Sequence, residues 1–198
     1  MKWSLAVLVM CCVAVLAGAA HGAAQAATEF FPLAVGNWWV YAGDGTKLRM
    51  TVQDVVEGSF LLVSEVNDFP VQREYYVVEG EDIIALRRDN PMGSYNLEPP
   101  QVFLQGPMVP GSQWTWEGEV AGLRARTTFT VLEPETVETP AGTFEALPVV
   151  VSGVIDGEDL LLVRWFAAGV GMVREQAPES LGSRSVLYDV RLAEYHVQ

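Results

Sequence analysis

The side chains best equipped for chemistry in this sequence are aromatic rings and guanidinium groups. Trp38, Trp39, Tyr41, Trp114, Trp116 and Trp165 are many large rings for a chain of 198 residues. In Trp39-Val40-Tyr41 and Trp114-Thr115-Trp116 the rings stand two positions apart, so on a strand both members of a pair face the same side. Turned inward, such rings build a core or line a cavity for an apolar ligand; turned to solvent, they make a platform for stacking sugars. Arg87 and Arg164 each end an apolar run. A guanidinium there either pairs with a nearby carboxylate or grips an anionic ligand group. Trp39, Tyr41, Trp114, Trp116, Trp165, Arg87 and Arg164 are therefore the candidate ligand-binding residues.

Other chemistries lack their residues. A serine or cysteine nucleophile needs a base, and beyond residue 27 the histidine supply is His196 alone, with no cysteine. Zinc and copper need several histidine or cysteine ligands, so no catalytic residue, metal site or cofactor is expected. Asp156, Glu158 and Asp159 cluster with Gly157, as do Glu79, Glu81 and Asp82 with Gly80. Neither cluster has the ligand spacing of a calcium loop, and both read as solvated hairpin tips. A glycosidase-type carboxylate pair needs only two acids at the right separation, which sequence does not locate.

Residues 1–27 read as an export address. Lys2 supplies the positive end, Trp3 to Leu16 the apolar stretch, and Ala24-Gln25-Ala26 a small-x-small cleavage site before Ala27; a cut after Ala20 is the alternative. Leu8-Val9-Met10-Cys11 resembles a lipoprotein box only superficially, because Met10 is bulky where a small residue normally precedes the cysteine, so a lipid anchor at Cys11 is the lesser alternative. With Cys11 and Cys12 removed, the rest of the chain has no disulfide in an oxidising compartment, periplasmic or extracellular, and must rely on its core. No later apolar run approaches the ~18 residues that span a bilayer. The formal charge is −13 and becomes more negative once Lys2 is lost, which repels phosphate backbones and anionic lipid. No nucleic-acid partner is expected.

Strand signals dominate what remains. Leu123, Ala125, Thr127, Phe129 and Val131 alternate with Arg124, Arg126, Thr128 and Thr130, and Val186, Tyr188, Val190 and Leu192 alternate with Ser185, Asp189 and Arg191. The chain also matches itself. Pro32–Gly43 aligns without gaps on Pro107–Gly118, Leu48-Arg49 on Leu123-Arg124 at the same offset, and Gly80–Arg87 on Gly157–Arg164 with two residues inserted. The expectation is one all-β domain over 28–198, made of two tandem antiparallel modules, about 31–90 and 106–197, fused into one strongly curved sheet or partly open barrel with almost no helix. A proline-rich connector over 91–105 should run extended across the surface or one mouth as a crossover or lid.

The most patterned stretch runs from Glu138 to Glu175. Pro140-Ala141-Gly142 and Asp156-Gly157 punctuate it as turns, and Gly169 and Gly171 bracket Val170 where an aromatic strand must bend. Pro140-Ala141-Gly142-Thr143-Phe144, an apolar strand and then Trp165-Phe166-Ala167-Ala168-Gly169-Val170-Gly171-Met172-Val173 resembles the C-terminal half of a family of uncharacterised bacterial secreted and lipoprotein-like β domains. Phe31-Pro32-Leu33-Ala34-Val35-Gly36-Asn37-Trp38-Trp39-Val40-Tyr41 is similar to that family's other hallmark, and Ala168 departs from it where a charged residue or proline is usual. The resemblance implies an exported β domain and brings no activity or catalytic residues. The function expected is a non-catalytic exported domain that binds a partner protein or an apolar small molecule in the envelope. The alternative is a carbohydrate-binding or carboxylate-dependent glycan-cleaving protein, which would need tryptophans in line at the surface or two facing carboxylates.

Overall fold

The computed structural model describes residues 25–43, 45–177 and 188–198. The segment expected as an export address, with Lys2, Cys11 and Cys12, and Ser185 and Val186 ahead of the last strand, lie outside the described residues.

A single helical turn, α1 (Ala27–Phe30), precedes β1 (Trp38–Gly43), β2 (Thr46–Val56), β3 (Ser59–Val66), β4 (Phe69–Glu79), β5 (Asp82–Asn90) and β6 (Gly93–Leu104). The second half supplies β7 (Gln113–Val120), β8 (Leu123–Val131), β9 (Glu135–Thr139), β10 (Gly142–Ile155), β11 (Glu158–Ala167) and β12 (Gly171–Ala177), and β13 (Tyr188–His196) ends the chain. The hairpins form where the turn chemistry allows them: Asp156 and Gly157, between β10 and β11, both hold positive φ, 50° and 86°.

Each strand pairs antiparallel with its successor from β1 to β8; β8 pairs with β10, the order runs on to β13, and β13 pairs back onto β1. The result is a closed barrel of twelve strands with β9 outside it, hydrogen-bonded to the first residues of β10. This corrects the expectation of a partly open barrel. The last strand bridges the first and penultimate ones, and closure removes the exposed edges that an open sheet would offer to other chains. The matched segments of the sequence fall on β1, β2 and β5 and on β7, β8 and β11. β9 occupies in the second series the place that β3 has in the first, but β8 bypasses it and pairs directly with β10.

The segment expected as a connector, 91–105, is largely β6, a strand of the wall. It tolerates Pro99 and Pro100 because neither lies in a regular ladder: on the β5 side the register jumps from Ala85↔Gln101 to Arg87↔Asn96, and on the β7 side the pairing is Glu98↔Glu119 alone. Side chains complete this seam. Trp114 Nε1 donates to the Val102 carbonyl at 3.0 Å and Trp116 Nε1 to the Pro99 carbonyl at 2.9 Å.

α1 closes one end of the barrel. The Ala27 N–H donates to the Glu81 carbonyl in the β4–β5 turn, and the Gly169 N–H in the β11–β12 turn donates to the Glu29 carbonyl. Phe31, just past the helical turn, inserts its ring among Trp39, Tyr76, Phe103 and Phe166 at centroid distances of 5.8, 5.9, 5.2 and 6.4 Å. Burial of these rings is the main stabilising force at that end, since each large side chain withdrawn from water contributes about 1.5–3 kcal/mol.

Candidate functional site

Beyond the Phe31 plug the lumen widens into a cavity of about 340 Å³. Its lining residues Leu48, Val71, Gln72, Arg88 and Glu175 lie on β2, β4, β5 and β12 away from the turns that hold α1, so the cavity occupies the opposite half of the barrel. The floor is apolar, with Phe31, Phe103, Met50 and Met172, and the walls are charged.

One wall carries Glu74 on β4 and Arg88 on β5, directly opposed in the ladder. Arg88 Nε donates to Glu74 Oε1 at 3.0 Å, and a second guanidinium nitrogen donates to Gln101 Oε1 at 3.1 Å. The Tyr76 hydroxyl bonds Glu74, and burial, reinforced by the charge of Glu74, pushes its pKa well above the usual phenol value. The other wall carries Arg164 on β11 and its ladder partner Glu175 on β12, joined by a short ion pair, with the Arg164 guanidinium 5.4 Å from the centroid of Phe103. Tyr41 is fully buried beside this pair and donates to the Met172 carbonyl at 2.9 Å; burial first, then the charge of Glu175, raises its pKa. Both phenols therefore stay protonated as hydrogen-bond donors at any ordinary pH.

The two pairs sit diametrically opposite. Four barrel strands separate β4 from β12 on one side, and four separate β5 from β11 on the other. Ionic groups withdrawn this far from water, with side-chain exposures of 11–29%, contribute little net stability, since desolvation offsets their attraction. Their register-matched placement on facing walls gives the lumen its polarity.

The candidate residues chosen from sequence divide between this cavity and other places. Arg164 lines it. Tyr41 is buried beside it, whereas Trp39 packs on Phe31 at the α1 end, where its Nε1 donates to the Val170 carbonyl. Trp114, stacked on Phe129 at 5.0 Å, and Trp116 hold the β6–β7 seam. Trp165 alternates with Arg164 and so faces away from the lumen, where it donates to Glu135 on β9 and packs under Arg174 at 4.5 Å. Arg87 lies outside as well, paired with Asp89 and set against the Tyr75 ring. Arg87 and Arg164 are not brought together; the arginine that shares the cavity with Arg164 is Arg88.

The reason is a β-bulge. In the β4–β5 ladder Tyr76 faces Ala85 and Tyr75 faces Arg87, so Leu86 is an extra residue that reverses the alternation. Strict period two from the buried Ile83 and Ala85 selects Arg87; the bulge selects Arg88. The Arg87-Arg88 doublet is the trace of it in the sequence. Among the described residues no group of three or more His, Cys, Asp or Glu is placed to hold a metal ion, and no helix is long and apolar enough to cross a membrane.

No family model and no curated protein matches the chain. Among solved structures, a candidate lipoprotein from Parabacteroides distasonis ATCC 8503 is similar with a TM-score of 0.46 and 13% identity, over 85% of this chain and 98% of that one. A candidate exported protein with a YmcC-like fold from Bacteroides fragilis NCTC 9343 is similar with a TM-score of 0.43 and 17% identity, over 85% and 99% of the two chains.

Proposed function

We propose that this chain is an exported, non-catalytic β-barrel that holds a small amphipathic molecule in its lumen. The observation that carries the reading is the cavity of about 340 Å³ with an apolar floor and polar walls, a size within the range of small-molecule sites. Export rests on the N-terminal pattern of Lys2 followed by an apolar stretch and small residues. A non-catalytic role fits walls in which each acid already pairs with an arginine, Glu74 with Arg88 and Glu175 with Arg164. The purely apolar ligand expected from the aromatic residues gives way to an amphipathic one, because the tryptophans are spent on core and seam while the cavity walls carry charge. Glycan stacking finds no support in Trp39, Trp114, Trp116 or Trp165, all of which are buried.

Native mass spectrometry of the protein purified from its own envelope fraction tests the reading. A retained adduct is expected in the wild type and absent in Ser64→Trp, where an indole fills the space beside Met50 and Gln72. A bare polypeptide mass in both, with no uptake of added amphiphiles, would overturn it and favour a protein-interaction scaffold.

A further inference from the structure

We infer that the lumen selects a ligand with no net charge, a zwitterionic or uncharged short-chain amphiphile, and disfavours fatty-acid-like anions; this rests on the lumen-binding reading above. Among the described residues the cavity is lined by two arginines and two glutamates, and no other described lining residue is charged. Each arginine is already bound to its own carboxylate: Arg88 to Glu74 at 3.0 Å, Arg164 to Glu175 across directly opposed ladder positions. In both cases the partners stand directly opposite on neighbouring strands, so the backbone keeps each pair within reach.

An anionic head has two ways to bind there, both costly. It can sit beside an arginine whose charge a glutamate already cancels, or it can take the arginine and leave the glutamate uncompensated in a partly buried site. A cationic head meets the same obstacle with the roles exchanged. A dipolar head instead lies along an ion pair with its positive group at the carboxylate and its negative group at the guanidinium, so the existing bonds stay in place. An uncharged polar head uses the neutral donors and acceptors of Ser64 and Gln72, which line the same cavity. The apolar tail is accommodated by Phe31, Phe103, Met50 and Met172. The chain's formal charge of −13 adds a long-range field that keeps anions away from the mouth.

The test is a tail-matched series titrated calorimetrically into the purified protein at pH 7.5: octyl dimethylamine oxide, octyl glucoside, octanoate and octylammonium. The amine oxide and the glucoside are expected to bind at least about tenfold tighter than either ion. Glu74→Gln keeps a hydrogen bond to Arg88 but leaves the lumen one positive charge in excess, so its affinity for octanoate should rise about tenfold; Glu175→Gln, on the opposite wall, should do the same. Octanoate bound by the wild type as tightly as the amine oxide, or gaining nothing from either substitution, would overturn the inference. If the wild type binds none of the four probes, the lumen-binding reading itself fails.

Discussion

The indole N–H of Trp116 donates to the Pro99 carbonyl across the one junction of the barrel where the backbone ladder lapses to a single pair, Glu98↔Glu119. Prolines 99 and 100 have no N–H to offer, so side chains must do what the ladder does elsewhere. Trp116→Phe keeps most of the buried ring and leaves the Pro99 carbonyl without that donor. It should cost about 1–3 kcal/mol in urea unfolding. Amide exchange over 101–104 should also be faster than over β2 and β3, where eight register pairs join the strands. A loss below about 0.5 kcal/mol would show that the indole bond does not hold the seam.

Gly169 and Gly171 bracket the turn that docks α1, and they should respond differently to alanine. Both have positive φ, +71° and +108°. A Cβ at Gly169 meets nothing within 4 Å, whereas one at Gly171 comes to 3.0 Å from Trp39 Nε1. That nitrogen already donates to the Val170 carbonyl and is held in the packed end of the barrel. Gly169→Ala should cost about 1–2 kcal/mol for the left-handed conformation alone, and Gly171→Ala distinctly more. Equal melting temperatures for the two variants would sink the steric argument.

Trp165 fastens β9 to the outside of the barrel. Its ring is 6% exposed, lies under the Arg174 guanidinium and donates to Glu135. Trp165→Ala should destabilise by about 3–5 kcal/mol, the usual range for removing a large buried aromatic. The loss should leave any lumen ligand bound, because this ring faces outward. A variant that folds well and loses the ligand would contradict that placement.

Much of this arrangement was legible in the residues. Alternation over Leu123–Val131 located β8, and Asp156-Gly157 located the hairpin between β10 and β11. Closure was not legible, because pairing of β13 with β1 joins residues some 150 positions apart and leaves no local pattern. The lumenal position of Arg88 leaves no trace in period-two alternation, because the bulge at Leu86 is an insertion that changes which face a side chain takes without changing composition. In sequence β6 reads as a connector because Pro99 and Pro100 forbid a normal ladder, and only the tertiary placement of Trp114 and Trp116 makes a strand possible there. Buried tryptophans look the same in sequence whether they line a cavity, clamp a seam or cover a wall.

Acid should loosen the outer wall of β12 and β13. Arg174 donates twice to Asp189, at 2.8 and 2.6 Å, and holds its carboxyl below the usual aspartate range; Arg87 does the same for Asp89. A carboxyl whose folded pKa is depressed contributes stability that is present above its unfolded value, about 3.9, and is lost as pH falls through the folded one. Asp189→Asn should therefore be less stable than the wild type at pH 7, with the gap closing below about pH 4. A gap that stays constant from pH 7 to pH 2 would assign the loss to something other than the ion pair.

If the N-terminal pattern is processed as an export address, the position of the cut is constrained by how Gln25 and Ala27 pack. The Met108 N–H donates to the Gln25 carbonyl at 2.9 Å, Gln25 Nε2 donates to Glu29, and Ala27 is 0% exposed with its N–H on the Glu81 carbonyl. A cut directly before Ala27 would remove the first two contacts and place an α-ammonium group at a fully buried position, where an ionised amine is costly. Gly22-Ala23-Ala24 is another small-x-small site, and a cut after it leaves Gln25 as the first residue; a cut after Ala20 leaves His21. Intact-mass measurement of the protein recovered from its producing cell should thus give a chain that includes Gln25. A mass starting at Ala27 would mean that the barrel closes its α1 end without the Gln25–Met108 pairing. Such a chain should then melt below a version extended to Gln25, and equal stability of the two would show that Gln25 contributes nothing to the plug.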